Sequence, residues 1–166
     1  MSHRRQILVV DDDQDVLAAV KDVLEDEGFA VATARNGMVA LGAIDGGLRP
    51  GLIILDFMMP VMDGLTFRRE QLARGDVAHV PVLGMTAHPH MTPVPGDQFD
   101  VMIKPVGARD LIDRVRALLG DVVVVPPSED KAVAVARRRA RFWRRVKILT
   151  PIILALAGLI RALAGR

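Results

Sequence analysis

Over the first 120 positions, short apolar runs alternate with stretches of helical periodicity. QILVV (6–10) is rich in β-branched residues, stops at Asp11, Asp12 and Asp13, and reads as a buried strand. In 15–27, Val16, Leu17, Val20, Val23 and Leu24 fall at helical spacing, with acids early and Gly28 as the stop. Residues 29–34 predict a second strand, and 38–44 a short helix closed by Gly46 and Gly47. LIIL (52–55) predicts a third strand ending at Asp56, followed by a helix over 65–73 with Asp63 as its cap. Residues 80–85 predict a fourth strand ending at Thr86, and 101–103 a short fifth ending at Lys104 and Pro105. The helix over 108–119 places Leu111, Ile112, Val115, Leu118 and Leu119 on one side.

Strands that are apolar on both faces and alternate with helices predict an α/β fold, a parallel sheet covered on both sides. Five of them in about 120 residues fit the doubly wound order 2-1-3-4-5, whose functional crevice lies beyond the C-terminal strand ends. Asp11, Asp12, Asp56, Thr86 and Lys104 all fall at those ends. One helix breaks the pattern. HPHMTPVPGD (88–97) contains Pro89, Pro93, Pro95 and Gly96, so a loop or an irregular turn is expected where a fourth crossover helix belongs.

The absence of cysteine excludes disulfides, a thiol nucleophile and thiolate metal sites, and is compatible with a reducing cytoplasm. The N-terminus lacks the long apolar region and small-residue cleavage site of a secretory signal, so none is read. The net charge of +2 hides a division: residues 1–125 carry net −6 and residues 126–166 net +8. We therefore expect an acidic globular domain over 1–125, then a Pro126-Pro127 linker and a basic tail that meets something anionic.

Carboxylates gathered at one crevice repel one another and recruit a cation or raise their pKa values. All-oxygen ligation with few carboxylates suits magnesium, which often shares a phosphate oxygen. A lysine and a threonine hydroxyl beside them suit a phosphoryl group, whose transfer depends mainly on positioning and charge stabilisation. One carboxylate can then act as nucleophile.

Four segments carry a family resemblance: ILVVDDDQDV (7–16), LIILDFMMPVMDG (52–64), PVLGMTA (81–87) and VMIKP (101–105). In order and spacing over about residues 5–120 the chain resembles the receiver domain of bacterial two-component response regulators. The resemblance implies that Asp56 is the phosphoacceptor, charged by a histidine kinase or a phosphotransfer protein. It implies a Mg2+ ion held by Asp12, Asp56 and the backbone carbonyl of Met58, with Asp11 acting through a water or as a further ligand. Thr86 and Lys104 would bind the phosphoryl group, and the Lys104–Pro105 bond would be cis. Such a domain takes part in its own phosphoryl transfer and dephosphorylation and is not a stand-alone enzyme.

Other residues have plainer roles. Asp13 and Asp15 suit the start of a helix, and Asp63 a cap. His79, His88 and His90 lack metal-ligand spacing. Two features depart from the family pattern. The aromatic expected three residues before Lys104 is replaced by Val101, with Phe99 nearby but read as out of phase, and the fourth helix is lost to prolines. An adaptor with vestigial phosphorylation is therefore the alternative to a working phosphoacceptor.

In the tail, RRRARFWRRVK (137–147) has seven basic residues in eleven, followed by thirteen uncharged residues, 148–160. A helix is expected from Ser128 to about residue 150. Three readings stand: attachment of 137–164 to an anionic membrane, docking or dimerisation of a helical hairpin, and nucleic-acid binding. The first is favoured, which places the protein in the cytoplasm, at the inner face of the membrane. The tail is too short for a recognisable DNA-binding output domain, and specific DNA binding is not expected. Thirteen residues cover only about 20 Å of helix against a hydrocarbon core of about 30 Å, so a full span is marginal.

Overall fold

Each strand begins and ends where backbone chemistry requires it. A computed structural model describes residues 6–87 and 99–120. β1 (Gln6–Val10) is fully buried from Ile7 to Val10, because both of its faces are covered. Asp13 caps α1 (Gln14–Asp26), its carboxylate accepting from the amides of Asp15 and Val16. β2 (Ala30–Ala34) leads to α2 (Gly37–Asp45), capped by Asn36. β3 (Pro50–Asp56) starts two residues before the LIIL run, since proline is tolerated as the first residue of a strand. Its register against β1 shifts between Gln6 and Ile7 to absorb that start. α3 (Gly64–Leu72) is capped by Asp63, which accepts from the Thr66 amide at 2.7 Å.

β4 (Val82–Thr86) begins two residues later than the apolar run suggests, because Val80 belongs to the preceding turn. Its amide bonds the Val77 carbonyl, and its own carbonyl accepts from Gln71. β5 (Asp100–Ile103) and α4 (Ala108–Leu119) complete the described residues. The strands are parallel in the order β2-β1-β3-β4-β5, the doubly wound α/β fold expected.

The pleat divides the core into two layers. Ile7, Val9, Leu52, Ile54, Leu83 and Met85 face α1 and α4, meeting Leu17, Leu24, Leu111 and Val115. Leu8, Val10, Ile53, Leu55 and Val82 face α2 and α3, meeting Leu41, Ile44 and Phe67. Burying side chains of this size contributes about 1.5–3 kcal/mol each, which makes the strand ends a rigid platform. The irregular stretch expected at 88–97 and the helical tail expected beyond Pro126 lie outside the described residues. Among the described residues, no helix is long and apolar enough to cross a membrane.

Candidate functional site

The C-terminal ends of β1, β3, β4 and β5 bring together the polar residues the strand pattern singled out. Asp11 follows β1 and is fully buried, Asp56 ends β3 and is buried, and Asp12 is exposed at the rim. One carboxylate oxygen from each can lie within 4.8 Å of the others, a spacing able to hold one cation. Thr86 ends β4 and is buried, and its carbonyl accepts from the Lys104 amide at 2.7 Å.

Lys104 joins the cluster from beyond β5. Its Nζ donates to Asp11 Oδ2 at 2.8 Å and to Asp56 Oδ2 at 2.9 Å. The Lys104–Pro105 peptide is cis. The Met58 amide donates to Asp56 Oδ1 at 3.3 Å, and the Asp13 amide donates to Asp11 Oδ1 at 3.0 Å. Asp11 thus has both oxygens engaged by the protein, while Asp12 is exposed at the rim.

The pocket's electrostatics follow from this packing. Burial raises the Asp11 carboxyl above its ordinary value; the Lys104 hydrogen bond and the Asp13 amide oppose this without cancelling it. Burial also works against the Lys104 ammonium, but its bonds to Asp11 and Asp56 outweigh that, and its pKa lies above the usual lysine value. One ammonium facing three carboxylates leaves the pocket negative, and that donor set fits a hard divalent cation.

The loop after Asp56 is tightly held. Gly64 packs onto the Asp56–Phe57 peptide so closely that a Cβ there would stand 2.3 Å from the Asp56 carbonyl oxygen. The Gly64 amide bonds the Phe57 carbonyl at 3.1 Å. Val61, in the same loop, is 82% exposed and adopts φ 71°, a left-handed conformation unusual for a β-branched residue.

The reading of Phe99 as out of phase is corrected by the structure. Residues 99 and 101 are two apart, so they point to the same face, and both pack against the α2–α3 layer. Phe99 meets Phe57 edge-on, with ring centroids 5.4 Å apart. The sequence reading also passed over Arg68 and Gln71, which are buried on α3. Gln71 Nε2 donates to the carbonyls of Val77 and Val80, and its Oε1 accepts from Arg68 at 2.8 Å. Their spacing of three residues on one helix was the available signal.

Comparison with known proteins agrees with this geometry. Residues 7–116 match the family model of the response regulator receiver domain. The response regulator MprA of Mycobacterium sp. (strain KMS) is 36% identical over 118 residues, covering 69% of this chain and 50% of that protein. The transcriptional regulatory protein PrrA of Mycobacterium tuberculosis is 34% identical over 148 residues, covering 82% of this chain and 62% of that protein. The chain thus spans about half to three-fifths of the length of these relatives. Among solved structures, the Vibrio cholerae chemotaxis protein CheY4 superposes with a TM-score of 0.62 at 26% identity, covering 69% of this chain and 98% of that one. The receiver domain of a signal transduction histidine kinase from Syntrophus aciditrophicus gives 0.62 at 29% identity, covering 73% and 94%.

Proposed function

Because the chain belongs to the response regulator receiver domain family, we propose that it accepts a phosphoryl group on Asp56 from the phosphohistidine of a histidine kinase or a phosphotransfer protein. The observation that carries this reading is the Asp56 carboxylate itself. It sits at the end of a buried strand, held by Lys104 through one oxygen and by the Met58 amide through the other, beside Asp11 and Asp12.

In the proposed step a carboxylate oxygen of Asp56 attacks phosphorus. The phosphorus–nitrogen bond breaks, its electron pair returns to the donor imidazole, and an acyl phosphate remains on Asp56. Lys104 already bonds Asp56 and supplies a fixed positive charge for the incoming oxygens. The Thr86 hydroxyl supplies a donor from the neighbouring strand. Asp12, Asp56 and the Met58 carbonyl would hold Mg2+, with Asp11 as a further or water-mediated ligand. Bound there, the ion would neutralise charge that builds on the phosphoryl oxygens. The phosphoaspartate state is then a signalling state, and the chain acts on no substrate other than its own acceptor.

Acetyl phosphate with magnesium should add one phosphoryl group to the full-length chain, read by intact mass. Asp56→Asn should take up none, chelation of magnesium should abolish uptake, and Asp12→Ala should slow it. Equal uptake by Asp56→Asn overturns the acceptor assignment, and no uptake by the wild type favours the adaptor reading.

The receiver is taken as residues 1–125 and the tail, 126–166, as a separate unit. We propose that residues 137–164 attach to an anionic membrane at its cytoplasmic face. Seven basic residues in eleven beside an uncharged run of thirteen support this. Each arginine near such a surface contributes about 1 kcal/mol, and the apolar run adds a term that salt does not screen. The chain should sediment with anionic vesicles, and replacing Arg137, Arg138 and Arg139 by Gln should weaken this most at low salt. Indifference to vesicles overturns the membrane proposal.

A further inference from the structure

Gly84 leaves a gap in the sheet face beneath α3. It pairs with Leu55 on one side and Val101 on the other, and all three positions share that face. Two rings fill the gap from opposite sides, Phe57 just after β3 and Phe99 just before β5. A Cβ on Gly84 would stand 2.4 Å from Phe57 Cζ and 3.1 Å from Phe99 Cε2. Without a side chain at 84, the ring that follows β3 crosses β4 and meets the ring that precedes β5. Their interplanar angle of 62° at 5.4 Å is an edge-to-face contact, the arrangement ring quadrupoles favour. The Arg68 guanidinium then lies 5.8 Å from the Phe99 centroid, held in turn by Gln71.

Phe57 directly follows Asp56, and its peptide has little slack: Gly64 presses on it and bonds its carbonyl. A change in the Asp56 carboxylate therefore reaches Phe57 through one covalent step. Phe57 is 2% exposed, so its ring cannot shift without moving what it touches. Among the side chains it meets is Phe99, just before the edge strand.

We propose that Phe57 and Phe99 couple the state of Asp56 to the start of β5 and to Arg68, and that Phe99 is a positioning residue for phosphoryl acceptance. The proposal rests on the reading of Asp56 as acceptor. Coupling between two places is reciprocal, so a substitution at Phe99 must change how well the acceptor pocket holds a phosphoryl mimic.

The test uses the full-length chain labelled with 4-fluorophenylalanine and titrated with beryllofluoride and magnesium. The Phe99 fluorine signal, assigned through Phe99→Tyr, should move as the mimic binds. Phe99→Leu should change the apparent beryllofluoride affinity about fivefold or more, while Val101→Ala leaves it within about twofold. A stationary Phe99 signal at saturation, or equal affinity in Phe99→Leu, overturns the coupling while leaving Asp56 as acceptor. If the wild type does not bind beryllofluoride and takes up no phosphoryl group from acetyl phosphate, the acceptor reading fails, and the coupling with it. The fluorine measurement stands even if Phe99→Leu does not fold.

Discussion

The two faces of the sheet are built differently. The face under α1 and α4 is mainly aliphatic, with Leu17, Leu24, Leu111 and Val115 closing over Ile7, Val9, Leu52 and Ile54. The face under α2 and α3 carries two buried phenylalanines, a glycine gap and the buried polar pair Arg68 and Gln71. The first face fills space with side chains that pack in many directions. The second depends on specific contacts: an edge-to-face pair, a guanidinium over a ring and an amide that bonds two carbonyls. Asp56 is joined through Phe57 to the second. Anchoring and responsiveness are thus separated by the pleat, because successive residues of β3 must point to opposite sides.

This division can be broken by substitution on each side. The largest effect is expected from Leu24→Ala, which empties a fully buried site on the aliphatic face. It should cost about 2–5 kcal/mol in denaturant unfolding, yet leave the acetyl phosphate reaction of the folded protein unchanged. Gln71→Ala removes the donor to Val77 and Val80 and one acceptor of Arg68. A loss of about 1–3 kcal/mol is expected, with a measurable change in phosphoryl uptake because Arg68, one hydrogen bond poorer, is less firmly placed over Phe99. If Leu24→Ala alters uptake as much as Gln71→Ala does, the two faces are not functionally distinct.

A smaller effect should separate the pocket from both faces. The folded-state pKa of Lys104 is raised above 10.5, so its pairing favours the folded state. That contribution is fully present below the unfolded value and is lost as pH rises through the folded one. Unfolding measured from about pH 9 to about pH 12 should show this loss in the wild type and not in Lys104→Met. Parallel pH profiles would show that the ion pairs contribute nothing to folding.

The smallest effect is expected at Val61. A left-handed conformation costs a residue with a Cβ roughly 1–2 kcal/mol, partly offset by the chain entropy that glycine loses on folding. Val61→Gly should therefore raise stability by about 0.5 kcal/mol, read as a small rise in Tm, with uptake from acetyl phosphate unchanged. A drop in stability would show that exposed Val61 makes a contact worth more than its strain.

Much of this protein was legible in its linear pattern. Short apolar runs bounded by polar residues or glycine located all five strands and their parallel order, because a strand covered on both faces must be apolar throughout. Asp13 and Asp63 were readable as caps, since short carboxylates before a periodic segment match unpaired amides. Asp11, Asp12, Asp56, Thr86 and Lys104 were readable as one edge, because parallel strands all end on the same side. Tertiary structure alone decided which of these groups engage one another. Lys104 bridges Asp11 and Asp56 across distances in the chain that no local pattern spans. It also decided the partnership of Phe57 with Phe99, which requires an absent side chain on a strand between them. Periodicity records which face a residue takes, but a contact across a third strand depends on register and on the volume left empty there, and neither is written in either segment alone.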